Sequence, residues 1–180
     1  MVSFLLPNNE IIINNIAPTH FHDGISFSFW ISTATAINDN ITIVYFKEKN
    51  DGMSYIKINL RMEKLYVEIN SKQCSFDFDI PLETWELITI HLIPNDNKTL
   101  ILVNYGNNSK VADNNNNQEY KGCKIDCKFI PKYDVICVVN KVEQQSKNPA
   151  FMGPFFLSKL LDDKEMNEIL ANWPNTSLSF

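Results

Sequence analysis

Apolar and polar positions alternate with a period of two through most of the chain, the signature of strands with one face in a core. In Ser26–Ile31, Phe27, Phe29 and Ile31 share one face, and Trp30 falls on the other. Ile41–Phe46 reads as a second strand, followed by a turn at Asn50-Asp51-Gly52. Ile56, Ile58 and Leu60 alternate with Lys57 and Asn59, and Leu65–Ile69 repeats the pattern after a short turn around Met62-Glu63-Lys64. Cys74, Phe76, Phe78 and Ile80 alternate with Ser75, Asp77 and Asp79. Trp85–Leu92 and Thr99–Val103 follow, split by a turn at Pro94-Asn95-Asp96-Asn97. Val135–Val139 and Phe151–Leu157 close the set, with a further strand around Glu10–Ile13. Roughly nine or ten strands at this spacing predict a sandwich or barrel. No helical stretches alternate with them, which argues against a parallel α/β sheet.

One helix is marked, near the end of the chain. Asp162 can cap it, with Glu165 completing a capping box and Leu161 and Met166 forming a hydrophobic staple. Met166, Ile169, Leu170 and Trp173 make one apolar face, and Pro174 stops the run. Asp113–Glu119 and Glu143–Asn148 read as polar surface loops.

The chain's 180 residues, 44% of them hydrophobic, make one domain, 1–180, with an ample core. A net charge of −5 with scattered lysines argues against a nucleic-acid partner. The basic stretch Lys121–Lys132 is diluted by acidic neighbours and reads as a solvated loop. No apolar run approaches the ~20 residues that span a bilayer, so direct membrane insertion is not expected. The first residues carry no basic n-region and no long apolar stretch, and the expected location is the cytoplasm. Cys74 and Cys137 sit in apolar strands and read as small core residues. Cys123 and Cys127 have the spacing of half a zinc site with no second pair nearby. A disulfide suits an oxidising compartment but is not needed for a core of this size.

Three blocks, in order, resemble the concanavalin A-like, laminin-G-like sandwich family. The first is Ile25-Ser26-Phe27-Ser28-Phe29-Trp30-Ile31-Ser32-Thr33. The second is Lys64–Asn70 with Pro81–Ile90, similar to a central hairpin and a W-x-x-I-x-I strand. The third is Phe151-Met152-Gly153-Pro154-Phe155-Phe156-Leu157 followed by Leu160–Met166, similar to a closing strand and helix. The F-x-G-P-x-x-L form is most similar to the sandwich of BEACH-domain proteins, which are cytosolic trafficking scaffolds. Residues Asn104–Tyr133 match no block. The resemblance implies an all-β, antiparallel two-sheet jelly-roll sandwich with a short C-terminal helix. It implies a non-catalytic interaction module that binds a protein partner or a neighbouring domain. A carbohydrate-binding lectin-like module is the alternative, and a glycoside hydrolase is the third reading.

Hydrolases of this family need alternate carboxylates on one strand for acid and nucleophile roles. Asp77 and Asp79 share a face but read as the solvent side of an edge strand. His20-Phe21-His22-Asp23 is the most metal-like stretch, against which stands its loop setting, and His91 reads as an ordinary exposed histidine. Calcium has only the loop aspartates Asp39, Asp51, Asp96 and Asp113, with no D-x-D-x-D run, so no cofactor is expected. Trp30, Tyr45, Tyr55, Tyr66 and Tyr105 are candidate ligand-stacking aromatics, with Trp30, Tyr55 and Tyr66 foremost. For Trp30 the favoured reading is a contact with the apolar face of the terminal helix, and a stacking platform is the alternative.

Overall fold

The computed structural model describes residues 3–4, 11–33, 40–50, 55–62, 64–77, 84–106, 121–141, 150–160 and 164–165. Among these residues the alternating segments all form strands. They are β1 (Ser3–Phe4), β2 (Ile11–Ile16), β3 (Ile25–Thr33), β4 (Ile41–Glu48), β5 (Tyr55–Arg61) and β6 (Lys64–Ile69). The remainder are β7 (Lys72–Asp77), β8 (Glu86–Asn95), β9 (Lys98–Gly106), β10 (Lys121–Ile125), β11 (Val135–Lys141) and β12 (Ala150–Lys159). They pair antiparallel into two six-stranded sheets, the first ordered β1-β12-β3-β8-β9-β10 and the second β2-β11-β4-β5-β6-β7.

The core lies between the sheets, where both supply alternate residues. Phe27, Phe29, Ile31, Ile88, Ile90, Ile101 and Val103 from the first sheet meet Val44, Phe46, Ile56, Ile58, Leu65, Val67 and Cys137 from the second. Phe21, on a short 3-10 turn (Pro18–Phe21), packs edge-on against Phe46 and Phe129, with ring centroids 5.9 and 5.1 Å away. Gly24 leads into β3 with φ of +99°, and a Cβ there would sit 2.7 Å from the Leu92 carbonyl oxygen. Glycine is the residue that tolerates both the angle and the contact.

Two turns are set by residues that accept positive φ. Asn70 and Ser71, at φ of +47° and +68°, join β6 to β7 in a two-residue hairpin. This is the turn class whose twist matches that of paired strands. Asp96, at φ of +51°, does the same between β8 and β9, so Pro94 and Asn95 belong to β8 and the turn is shorter than predicted. A bulge falls at Gly153 in β12, where the β12–β3 register shifts between Met152 and Phe155. It also houses Pro154, which has no N–H to give a ladder.

The structure differs from expectation at several points. Lys121–Ile125, read as loop, is β10. Cys74 on β7 and Cys123 on β10 form a disulfide, with Cα atoms 6.2 Å apart. Cys74 is therefore bonded as well as buried, and Cys123 is not a free thiolate for zinc. Trp30 is fully buried, as are Ser26, Ser28 and Ser32 beside it, so both faces of β3 are covered and Trp30 offers no stacking platform. His91 is also buried, and shares a 2.6 Å hydrogen bond with the Ser26 hydroxyl across β3 and β8. The C-terminal helix falls outside the described residues except for Lys164 and Glu165, which are helical.

Candidate functional site

Of the remaining candidate aromatics, Tyr45, Tyr55 and Tyr66 lie on the outward face of the second sheet, and Tyr105 is on β9 of the first. The inward residues of β5 and β6 are Ile56, Ile58, Leu65, Val67 and Ile69, and alternation turns Tyr55, Lys57, Tyr66 and Glu68 outward. On β4, Phe46 points inward and Tyr45 and Lys47 outward. Register then assembles the face. Tyr45 lies opposite Lys57, Lys57 opposite Glu68, and Glu68 opposite Gln73, while Asn59 lies opposite Tyr66. The Tyr45 and Tyr55 rings are 5.9 Å apart and tilted by 49°.

Tyr55 is the best-held side chain of this face. Its hydroxyl donates to the Glu68 carboxylate and lies 3.2 Å from the Ser71 hydroxyl. Its backbone N–H donates to Asn70 Oδ1 at 2.8 Å, and its carbonyl accepts from the Asn70 N–H at 3.1 Å. The hydrogen bond to Glu68 stabilises the protonated phenol and holds its pKa above the ordinary 10.0. Tyr55 and Tyr66 are half-buried, so each presents part of its surface on this face. The side chain of Tyr105 is outside the described residues. The sequence reading passed over Glu68 and Asn70, although the spacing of Tyr66, Glu68 and Asn70 already aligned them.

Other candidate chemistry is dispersed. Ser26 and His91 have the spacing of a nucleophile and base, but they are 0% and 4% exposed, with no route for a substrate. His20 and His22 are exposed beside the 3-10 turn, and His20 Nδ1 is 3.2 Å from the Ala17 carbonyl. Among the described residues no three His, Cys, Asp or Glu side chains are grouped to hold a metal ion. Asp77 is exposed and paired with Lys64 at 2.9 Å, the solvent side of an edge strand as expected. Asp79 is outside the described residues. No helix among those residues is long and apolar enough to cross a membrane.

The fold is thus an all-β, antiparallel two-sheet sandwich of jelly-roll type. No family model matches the chain, and no curated protein matches it. Solved structures do match in fold. A botulinum neurotoxin serotype D binding domain superposes with a TM-score of 0.63 at 18% identity, over 94% of this chain and 42% of that one. The receptor binding domain of botulinum neurotoxin D gives a TM-score of 0.59 at 17% identity, over 94% of this chain and 47% of that one. A binding domain of botulinum neurotoxin DC in complex with SialylT gives 0.59 at 18% identity, over 94% and 42%. The chain spans less than half the length of these structures, and identity this low shows a shared fold alone. These neighbours lend no support to the finer likeness to BEACH-domain scaffolds.

Proposed function

We propose that the chain is a non-catalytic binding module whose recognition surface is the outward face of β4, β5, β6 and β7. The observation that carries this reading is Tyr55, fixed at a hairpin by Glu68, Asn70 and Ser71, with its ring tilted against that of Tyr45. A tyrosine held in place before binding loses little further entropy when a partner arrives, and tyrosine is among the residues that dominate interface energetics. The solved neighbours are named as binding and receptor binding domains, which supports the same class. The partner is a protein surface or adjoining domain.

A sugar is the second reading. The Tyr45–Tyr55 pair offers apolar rings next to Glu68 and Asn70, and one neighbour is a complex with SialylT. The Cys74–Cys123 pairing favours an oxidising compartment over the cytoplasm. It also weighs against the cytosolic BEACH-type scaffold.

The test is to screen the full chain against a glycan array and a panel of protein domains, then repeat with Tyr45→Ala/Tyr55→Ala. Binding that disappears in the variant supports this face, and the screen that yields it decides between protein and sugar. Binding that survives in the variant overturns the reading.

A further inference from the structure

The two lateral edges of the second sheet are built differently. At the β7 edge the Cys74–Cys123 disulfide bolts β7 to β10. The Lys72 ammonium adds a 2.7 Å hydrogen bond to the Asp126 carbonyl, and exposed Lys64 and Asp77 pair at the rim. Covalent closure and charge are what keep an edge strand from recruiting another chain. At the β2 edge neither a covalent closure nor a charge is present among the described residues, and the one interruption is a bulge at Asn14 and Asn15, where the register with β11 shifts. Among the described residues β2 pairs with β11 alone. Its sequence, Ile11-Ile12-Ile13-Asn14-Asn15-Ile16, contains no ionisable side chain and no proline. Ile11 and Ile12 are 46% and 55% exposed, among the most exposed large hydrophobic residues in the described structure. Asn15, at φ of +60°, bends only the far end of the strand.

We propose that the β2 edge is a docking site for the same edge of a second copy, antiparallel and two-fold symmetric about Ile12. Two features point to a second copy. The first is register: with Ile12 opposite Ile12, Ile11 of each copy lies opposite Ile13 of the other, so the segment is its own complement. Directly opposed residues of an antiparallel pair share a face. Ile12, in register with Val138, meets its counterpart on the outward face, while Ile11 and Ile13 align with the inward rows of Val139 and Cys137. The second feature is charge. The chain carries a net charge of −5, yet this strand brings no like charges together. Pairing joins the six-stranded sheets of two copies into one continuous sheet and is isologous, so it closes at a dimer. The edge site does not depend on the proposed tyrosine face. If both hold, the dimer carries two such faces on one sheet and gains by avidity.

The experiment is sedimentation equilibrium of the full chain across a wide concentration range, joined to register-specific crosslinking in a Cys127→Ser background. The expected result is a concentration-dependent dimer that Ile12→Lys converts to monomer, with the melting curve that the wild type shows at dilutions where it is itself monomeric, because Ile12 is exposed. Ile12→Cys alone forms a covalent dimer under mild oxidation. Ile11→Cys alone does not, and Ile11→Cys with Ile13→Cys does. A chain that stays monomeric at every concentration overturns the proposal. So does a dimer untouched by Ile12→Lys, a crosslinking pattern without this register, or a monomer whose β2 edge takes up an added strand peptide instead.

Discussion

Replacing Cys74 and Cys123 together by alanine should lower the stability of the domain by about 2–4 kcal/mol. The two cysteines are 49 residues apart in sequence, and closing a loop of that length removes conformational entropy from the unfolded chain. The chain-entropy relation gives about 4 kcal/mol at 25 °C for such a loop, and enthalpic adjustment in the folded state usually trims the figure. The other contacts around Asp126, just beyond β10, cannot replace the bond. Lys98 on β9 and Asp126 form an exposed ion pair that solvent screens, and Lys72 is exposed as well. The assay is urea unfolding under non-reducing conditions, read by tryptophan fluorescence. The midpoint should fall and the m-value should rise, because an unfolded chain freed of its crosslink exposes more surface. Wild-type protein unfolded in reductant should match the variant. Thiol titration in denaturant should find two free groups, Cys127 and Cys137, of the four cysteines. Four free thiols, or an unchanged midpoint in the variant, would refute the argument.

Three further outcomes follow from single side chains. Glu48 is 4% exposed and accepts the backbone N–H groups of Lys132 and Tyr133 at 2.5 and 2.6 Å, tying the loop before β11 to the end of β4. Glu48→Ala strands both donors and should cost about 2–4 kcal/mol in urea unfolding, while Glu48→Gln, which keeps one acceptor oxygen, should cost less. Gly24→Ala must relieve both a positive φ and a Cβ contact with the Leu92 carbonyl, and should lower the melting temperature through a loss of about 1–3 kcal/mol. Burial pushes the Cys137 thiol from 9.0 up to about 12. The unfolded chain then deprotonates first, so this contribution to stability is complete below about pH 9 and declines towards pH 12, by at most about 1.4 kcal/mol per pH unit. Cys137→Ala should flatten the alkaline limb of the stability profile.

The strands that alternation revealed are those with one face in the core and the other partly wet. β5 and β6 are clear because Ile56, Ile58, Leu65 and Val67 are covered while Lys57 and Glu68 are not. Alternation says less where both faces are covered. Trp30 and His91 read as outward because the pattern counts only two sides and assigns the less apolar one to water, yet β3 and the front of β8 are buried on both. β10 failed for the opposite reason. Cys123 and Ile125 are spaced at i, i+2, but in so short a strand Lys121 and Lys124 dominate the composition. Edge strands carry such charges for protection, so the residues that guard an edge also disguise it as loop. The candidate site divides along the same line. That Tyr55 and Tyr66 face outward follows from their isoleucine and leucine neighbours, whereas the clamp on Tyr55 requires the β5–β6 register and the Asn70-Ser71 turn, which no local pattern encodes.

The cysteines carry this reasoning furthest. Composition alone makes Cys74 a core residue and Cys123 half of a metal pair, because sequence spacing leaves connectivity open. Strand order supplies the missing step. With β7 last in one sheet and β10 last in the other, the two edges meet, and the inward position of Cys74 faces that of Cys123. The sandwich is then shut on one side by a covalent bond and charged residues, while on the other side Ile11 and Ile12 of β2 remain exposed. Had the bond served only to supplement a weak core, its position in the fold would matter little. Placed across the β7–β10 edge, it leaves β2 as the lateral edge of its sheet open to a strand partner, and the asymmetry sets a direction for assembly. Removing the disulfide should therefore weaken folding without abolishing dimerisation, whereas Ile12→Lys should abolish dimerisation without weakening the folding of the monomer.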